Sequence, residues 1–198
     1  MSLSAKSLAC ERNGRQLFSK LSFTLKSGEL AELRGPNGAG KSSLLRLIAG
    51  LLPLQAGTLE LQGDTNLSHQ LHYIAHNEAM KSAMSVQQNL QFWCDVLGGT
   101  SIAKSLQAFD LETLRHDPVQ LLSAGQRRRL CLSRLFAAER PLWLLDEPNT
   151  ALDDTSQNLL IVRMQQHLAG GGLIMAATHG DLGVTSTHRI DLAGRAAP

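Results

Sequence analysis

The octapeptide Gly35-Pro36-Asn37-Gly38-Ala39-Gly40-Lys41-Ser42 determines which architecture this chain can adopt. It fits the pattern G-x-x-x-x-G-K-[ST] and lies between Ala31–Arg34, a run that predicts a strand, and a segment with apolar residues at helical spacing. The glycines let consecutive backbone N–H groups point at phosphate oxygens, and the following helix adds its positive N-terminal end. We therefore expect an ATP-binding loop in which Lys41 reaches the β- and γ-phosphates, Ser42 ligates Mg²⁺ and Ser43 lies beside them. The alternative is a tight turn without a ligand.

The composition is that of one ordinary globular domain. The chain has 198 residues, of which 43% are hydrophobic and 18% charged, and its formal net charge is +2. This charge is too small to indicate a nucleic-acid or acidic-membrane partner by its field alone. The N-terminus lacks the apolar core of a signal peptide, and no apolar run approaches the ~18 residues that a membrane helix needs. Cys10, Cys94 and Cys131 show no metal-ligand spacing. We expect reduced thiols in a cytoplasmic protein, with any membrane crossing done by another chain.

Periodicity divides the chain into an α/β core and a mostly helical insertion. Alternating or continuous apolar runs predict strands at residues 21–25, 31–34, 58–62, 72–75, 143–145, 173–178 and 190–192. Helices are predicted after the octapeptide and at 89–96 and 126–138. We expect one domain over 1–198, with the core at 1–79 and 139–198 and a helical subdomain at 80–138.

A second acidic element follows the apolar run Trp143–Leu145, which ends in Asp146 and Glu147. Asp146 would hold Mg²⁺, directly or through water, and Glu147 can act as general base on the attacking water. A strand that merely ends in exposed acids is the alternative. Together with the phosphate loop, the pair predicts nucleotide hydrolysis.

The pentapeptide Leu122-Ser123-Ala124-Gly125-Gln126 narrows the class of nucleotide hydrolase. It resembles the signature of the ATP-binding cassette (ABC) family, with Ala124 in place of the usual first glycine. Physically it offers a serine N-cap and bare backbone at a helix start, and an ordinary N-cap is the alternative. The resemblance implies a P-loop NTPase of the ABC ATPase type, with a mainly parallel central sheet, an N-terminal antiparallel β part and a helical subdomain. It also implies that Ser123–Gln126 contacts ATP held by the opposite copy in a head-to-tail dimer.

Five further residues are interpreted by the same resemblance. Asp153, in Ala151-Leu152-Asp153, matches the D-loop that couples the two sites of the dimer, and His179 matches the switch histidine that contacts the γ-phosphate. Two places depart from the family pattern. Arg12 stands where an aromatic side chain usually stacks on adenine, although a guanidinium can also lie flat on a base. His76 stands where the Q-loop glutamine is usual, and the neighbouring Asn77 could supply the missing amide oxygen if the loop is displaced by one residue.

Over essentially its full length the chain resembles the ATP-binding subunits of the cytochrome c maturation system, long called the heme exporter. The resemblance rests on segments such as Tyr73-Ile74-Ala75-His76 and Pro141-Leu142-Trp143-Leu144-Leu145-Asp146-Glu147-Pro148, together with the signature above. It implies a peripheral translocase ATPase on the cytoplasmic side of the bacterial inner membrane, of the heme-transporting class. That ATPase would work with an integral membrane subunit in heme handling or in releasing a heme chaperone. The alternatives are an ABC ATPase with another cargo and a soluble ABC scaffold ATPase. We expect a complete subunit with no fused regulatory domain, no nucleic-acid partner and no direct membrane insertion.

Two clusters of chemically active side chains are interpreted as surface features. His69, His72 and His76 have no cysteine or carboxylate at ligand spacing, so we expect surface or loop histidines. Arg127-Arg128-Arg129 has no interleaved aromatic residues, so a solvated face of the signature helix is expected instead of a nucleic-acid site.

Overall fold

The architecture comes from a computed structural model that describes residues 1–12, 14–62 and 64–192. Residues 193–198 of the predicted domain lie outside this part of the chain. The strands are β1 (Ser2–Arg12), β2 (Arg15–Lys26), β3 (Leu30–Arg34), β4 (Ala56–Leu61), β5 (Leu71–Ile74), β6 (Leu142–Asp146), β7 (Leu173–Ala177) and β8 (His188–Asp191). The α-helices are α1 (Lys41–Ile48), α2 (Val86–Leu97), α3 (Ala103–Ala108), α4 (Ala124–Ser133) and α5 (Asp154–Ala169).

A five-stranded sheet in the order β5-β6-β7-β3-β8 forms the centre, and every pairing in it is parallel. All residues of β6 and β7 are buried, as expected for strands covered on both faces. Their register pairs Asp146 with Ala177. This pairing brings the residues that follow both strands to the same edge of the sheet, which is where ligands bind in open parallel sheets.

A second, antiparallel sheet has the order β2-β1-β4. The long strands β1 and β2 form a hairpin in which Arg12 pairs with Arg15, and the register shifts at several points along it. This sheet packs through Leu3, Leu8 and Phe18 onto the apolar side of α1 and the central sheet. The hairpin end therefore lies close to the start of α1.

Helices α2, α3 and α4 share an apolar cluster with one side of the central sheet. Ser85 and Ser123 begin α2 and α4 with capping boxes. Each serine hydroxyl accepts a hydrogen bond from the backbone N–H of the glutamine three residues on, and the side-chain oxygen of that glutamine accepts one from the serine N–H. Helix α4 is shorter than the predicted 126–138. It ends at Ser133 and is followed by a 3₁₀ turn over Arg134–Phe136.

The predicted α/β architecture is confirmed, including the mainly parallel sheet, the antiparallel β part and the helical region. The sequence did not predict α5. Among the described residues, no helix has the length and apolarity that a bilayer crossing requires. The three cysteines are free and buried.

Candidate functional site

The phosphate loop joins the end of β3 to the start of α1, as the octapeptide predicts. Gly40 caps the helix with φ 102°, a left-handed conformation that is unfavourable for residues with a Cβ. A Cβ built on Gly40 would also lie 3.2 Å from Leu17 Cβ and 3.3 Å from Phe18 Cδ1. The positive φ therefore favours glycine here, and a Cβ would in addition crowd the β2 side chains.

Lys41 and Ser42 open helix α1, and both side chains are held near the loop. Lys41 is 8% exposed, and its Nζ donates to the carbonyls of Gly35 (2.7 Å) and Pro36 (3.2 Å). Ser42 Oγ donates to Asp146 Oδ1 at 3.0 Å. The phosphate loop and the acidic end of β6, which are far apart in sequence, thus meet through a direct hydrogen bond.

Glu147 follows β6 in an unusual backbone conformation. Its φ is +50°, in the left-handed region that residues other than glycine seldom adopt. Its N–H donates to the Ala177 carbonyl at 2.8 Å, which extends the β6–β7 ladder by one bond. The Glu147 carboxylate Oε1 lies 3.6 Å from His179 Nε2. Glu147, the predicted general base, and His179, the residue predicted to contact the γ-phosphate, are therefore neighbours.

The segment that carries His179 is fixed by an arginine that the sequence analysis did not single out. Arg34, the last residue of β3, donates to the carbonyls of Thr178 (3.4 Å) and Gly180 (3.1 Å), one on each side of His179. Its other contact is an ion pair with the buried Glu32 at 3.0 Å. The sequence did contain a signal for this pair: Glu32 and Arg34 alternate in a short, otherwise apolar strand. Charged residues in such a strand are buried only when they are paired, so an ion pair could have been predicted.

A cavity of about 750 Å³ adjoins these groups, a volume within the usual range for small-molecule sites. Its lining includes several predicted residues from separate parts of the chain: Arg12, Asn37, Gly38, Gly40, Lys41, Ser42, Ser43, His76, Asp146, Glu147 and His179. Leu17 and Thr150 also line it and were not predicted. His76 faces the cavity and Asn77 is absent from its lining, so the arrangement favours the residue at the usual Q-loop position over its neighbour. Arg12 lies on the hairpin side, where an adenine partner was expected.

The signature residues take the helix-start geometry that the sequence predicts. Ser123 Oγ accepts from Gln126 N at 3.2 Å, and Gln126 Oε1 accepts from Ser123 N at 2.8 Å. At the start of α4, Ala124 is exposed and Gly125 is partly exposed. A Cβ on Gly125 would lie 3.1 Å from the Ala151 carbonyl oxygen, so the signature packs closely against the D-loop. None of these four residues lines the cavity of its own chain.

Asp153 of the D-loop is the N-cap of α5. Its Oδ1 accepts from Ser156 N at 2.8 Å. Hydrogen bonds from the Ser156 side chain and backbone lower the pKa of the Asp153 carboxyl, which is therefore ionised at neutral pH. An anionic cap also interacts favourably with the helix N-terminus.

Two expectations about surface residues are wrong. Arg128 is 3% exposed, because its guanidinium donates to main-chain carbonyls at the ends of β5 and β6 instead of facing solvent. His72 is 4% exposed, since β5 is covered on both faces, and its Nε2 lies 2.8 Å from the Ala138 carbonyl. Burial lowers the pKa of His72 from 6.5 to about 4, so the ring is neutral at ordinary pH and its Nε2 donates that bond.

Ser42 Oγ and Asp146 Oδ1 are the side-chain atoms best suited to Mg²⁺. Both are hard oxygen ligands, and they already lie within 3.0 Å of each other. No group of three or more His, Cys, Asp and Glu side chains in the described part of the chain could hold a metal ion alone. A two-ligand site fits Mg²⁺, which typically takes one or two protein ligands and completes its shell with phosphate oxygens and water.

Comparison with known proteins places these features in a family. Residues 18–150 match the family model described as ABC transporter. The cytochrome c biogenesis ATP-binding export protein CcmA of Nitrobacter winogradskyi is 49% identical over 191 residues, covering 94% of this chain and 96% of that protein. The protein of the same name from Brucella abortus is 43% identical, covering 93% and 88% of the two chains. A putative ABC transporter ATP-binding protein from Pyrococcus furiosus, 20% identical, has the same fold over 100% of both chains with a TM-score of 0.86.

Proposed function

Because this chain belongs to the ABC transporter family and is an ABC-type ATPase, we propose that it drives a membrane complex of cytochrome c biogenesis. In this role ATP binding and hydrolysis are coupled to an integral membrane subunit in heme handling or in the release of a heme chaperone. We assign the α/β core to residues 1–79 and 139–198 and the helical subdomain to residues 80–138. The chain would act as a peripheral subunit on the cytoplasmic side of the bacterial inner membrane.

One observation carries the proposal of hydrolysis: residues from five separate segments of the chain converge on a single cavity. The Lys41 ammonium, which here donates to the Gly35 and Pro36 carbonyls, would bind the β- and γ-phosphates, and the N–H groups of the loop would donate to the phosphate oxygens. A bound Mg²⁺, held by Ser42 and Asp146, would neutralise phosphate charge. The Glu147 carboxylate takes a proton from the attacking water, and His179, 3.6 Å away, contacts the γ-phosphate.

A head-to-tail dimer completes the proposed site. The bare N-terminal backbone of α4 suits a γ-phosphate, yet Ser123–Gln126 does not line the cavity of its own chain. A second copy would supply this helix start from the opposite face. The D-loop residue Ala151 lies close to Gly125 of the signature, so we expect the D-loop with Asp153 near the place where the two copies meet.

The proposed cargo is supported by the relatives. Proteins named cytochrome c biogenesis ATP-binding export protein are 43–50% identical to this chain and match it over nearly their whole length. The His76 loop supports the same group, since a histidine at the Q-loop position departs from the wider family. We propose that His76 links the nucleotide site to the membrane subunit.

The test is a heme stain for c-type cytochromes in cells that lack this protein, complemented with wild type or with Lys41→Ala. We expect the stained bands to be lost on deletion, restored by wild type and not restored by Lys41→Ala. Lys41→Ala protein purified with its membrane partner should lack ATP turnover, because the substitution removes the positively charged side chain that binds the β- and γ-phosphates. Unchanged staining in the deletion strain would overturn the cytochrome proposal alone, whereas normal turnover by Lys41→Ala would overturn the site assignment.

A further inference from the structure

The guanidinium of Arg128 connects the signature helix to the end of two strands of the central sheet. Its Nε donates to the Pro148 carbonyl (3.2 Å), and Nη2 donates to the carbonyls of Asp146 (3.1 Å) and Glu147 (2.7 Å). Nη1 donates to the Ala75 carbonyl at 3.1 Å. Four of the five guanidinium N–H donors are thus used on main-chain oxygens.

Three consecutive carbonyls of this set belong to the turn that carries the proposed base. Glu147 has φ +50°, so its backbone would relax toward a more favourable region unless its surroundings held it. Two sets of bonds oppose that relaxation. The Glu147 N–H is tied to the Ala177 carbonyl, and its own carbonyl accepts the shortest of the Arg128 bonds.

We propose that Arg128 is a positioning residue for hydrolysis: it holds the turn Asp146–Pro148 in the conformation that directs the Glu147 carboxylate into the nucleotide cavity. This inference rests on the proposed role of Glu147 as general base. Arg128 itself does not line the cavity, so it acts through the backbone of Glu147 and not on the nucleotide. The fourth bond, to the carbonyl that precedes His76, fixes the same turn relative to the end of β5.

The charge and burial of Arg128 distinguish it from a residue that only fills space. It is 3% exposed, and each of its hydrogen bonds in the described part of the chain goes to a carbonyl oxygen. A buried cation is costly unless its donors are satisfied, so the carbonyl cage must keep its shape around the guanidinium. A planar five-donor group can bind carbonyls from two strands together. The three donors of lysine, which share one nitrogen, cannot cover the same four oxygens.

The experiment measures ATP turnover, ATP affinity and thermal unfolding for Arg128→Met and Arg128→Lys in the full chain purified with its membrane partner. We expect Arg128→Met to lower kcat on the order of 10²-fold, the usual effect of a small misplacement of a catalytic group. The KM for ATP should change little, because Lys41 and the phosphate loop are untouched. Arg128→Lys should retain part of the turnover that Arg128→Met loses, and it should unfold below the wild-type temperature, because its three donors leave part of the carbonyl cage unpaired.

The matched control is Arg134→Met. Arg134 follows the same helix and is also buried, but its guanidinium contacts the Cys131 carbonyl and sulfur and lies over the Trp93 ring, away from the cavity. This control should lower the unfolding temperature and leave kcat near that of wild type. If Arg134→Met reduces kcat as strongly as Arg128→Met, the effect is general destabilisation and the proposal is overturned. If Arg128→Met does not fold, Arg128→Lys decides, and wild-type turnover in that variant overturns the proposal.

A second background separates this inference from the proposed function. In Glu147→Gln, slow single-turnover hydrolysis should fall little further when Arg128→Met is added, because the group that Arg128 positions is already gone. Full turnover by Glu147→Gln alone would overturn the base assignment itself. Loss of turnover in Glu147→Gln together with normal turnover in Arg128→Met would overturn only the positioning role.

Discussion

The buried His72 makes the stability of this protein depend on pH in a way that can be calculated. Its pKa is about 4 in the folded chain because burial disfavours the imidazolium, against an ordinary value of 6.5. Below pH 6.5, His72 therefore binds a proton in the unfolded chain, whereas in the folded chain it binds one only below about pH 4. The contribution of His72 to folding is complete above pH 6.5 and is lost as the pH falls toward 4. At about 1.36 kcal/mol per pKa unit its limit is roughly 3 kcal/mol, of which roughly 2 kcal/mol is lost by about pH 5.

The perturbation that isolates this contribution is His72→Gln. The amide keeps an N–H donor for the Ala138 carbonyl but does not titrate. Urea unfolding at about pH 7.5 and about pH 5 should show that the wild type loses roughly 2 kcal/mol more stability than the variant on acidification. His69→Gln is the control for the same replacement at an exposed position. If wild type and His72→Gln lose the same stability over this range, the folded chain protonates His72 normally and the reasoning is wrong.

Two further predictions concern the site. Glu147→Gln keeps the shape of the side chain but removes the base, so turnover should fall roughly 10²- to 10⁴-fold while ATP still binds. Size-exclusion chromatography with ATP and Mg²⁺ should then show a more persistent dimer, and a fully active monomeric variant would contradict the role. His76→Ala should reduce Mg²⁺-dependent hydrolysis and cytochrome c yield more than Asn77→Ala, because only His76 lines the cavity. Equal, wild-type values for both variants in the assembled complex would mean that this loop has no part in coupling.

The parts of the site that the sequence predicted are those fixed by local backbone chemistry. The backbone at position 40 is left-handed where it caps α1, and the glycine that favours this conformation is part of the octapeptide. The start of α4 follows equally from Ser123 and Gln126, which satisfy each other within one turn. The strands β6 and β7 were predictable because burial on both faces makes them continuously apolar.

The parts that were missed lack a clear signal in the local sequence. Helix α5 buries Ser156, Leu160 and Met164 at a spacing of four, but the polar first member breaks the apolar pattern that would have predicted a helix. The burial of Arg128 depends on main-chain carbonyls of residues 75 and 146–148. Every residue has such a carbonyl, so the sequence does not indicate which ones will bind an arginine. A run of three arginines therefore gave a reasonable but wrong prediction of a solvated face.

The register of the parallel sheet explains why these distant groups meet. Asp146 pairs with Ala177, so the residues after β6 and after β7 leave the sheet side by side, and Glu147 reaches His179. The same edge receives the end of β5, whose Ala75 carbonyl is bound by Arg128. Because Arg128 belongs to α4, the helix that begins with the signature is attached to the turn of the proposed base by hydrogen bonds from the Arg128 guanidinium to main-chain carbonyls. A rotation of α4 relative to the sheet would have to carry the Glu147 turn with it or break these bonds. In the proposed head-to-tail dimer, ATP held against the signature by a second copy would therefore act on the geometry of Glu147 through α4.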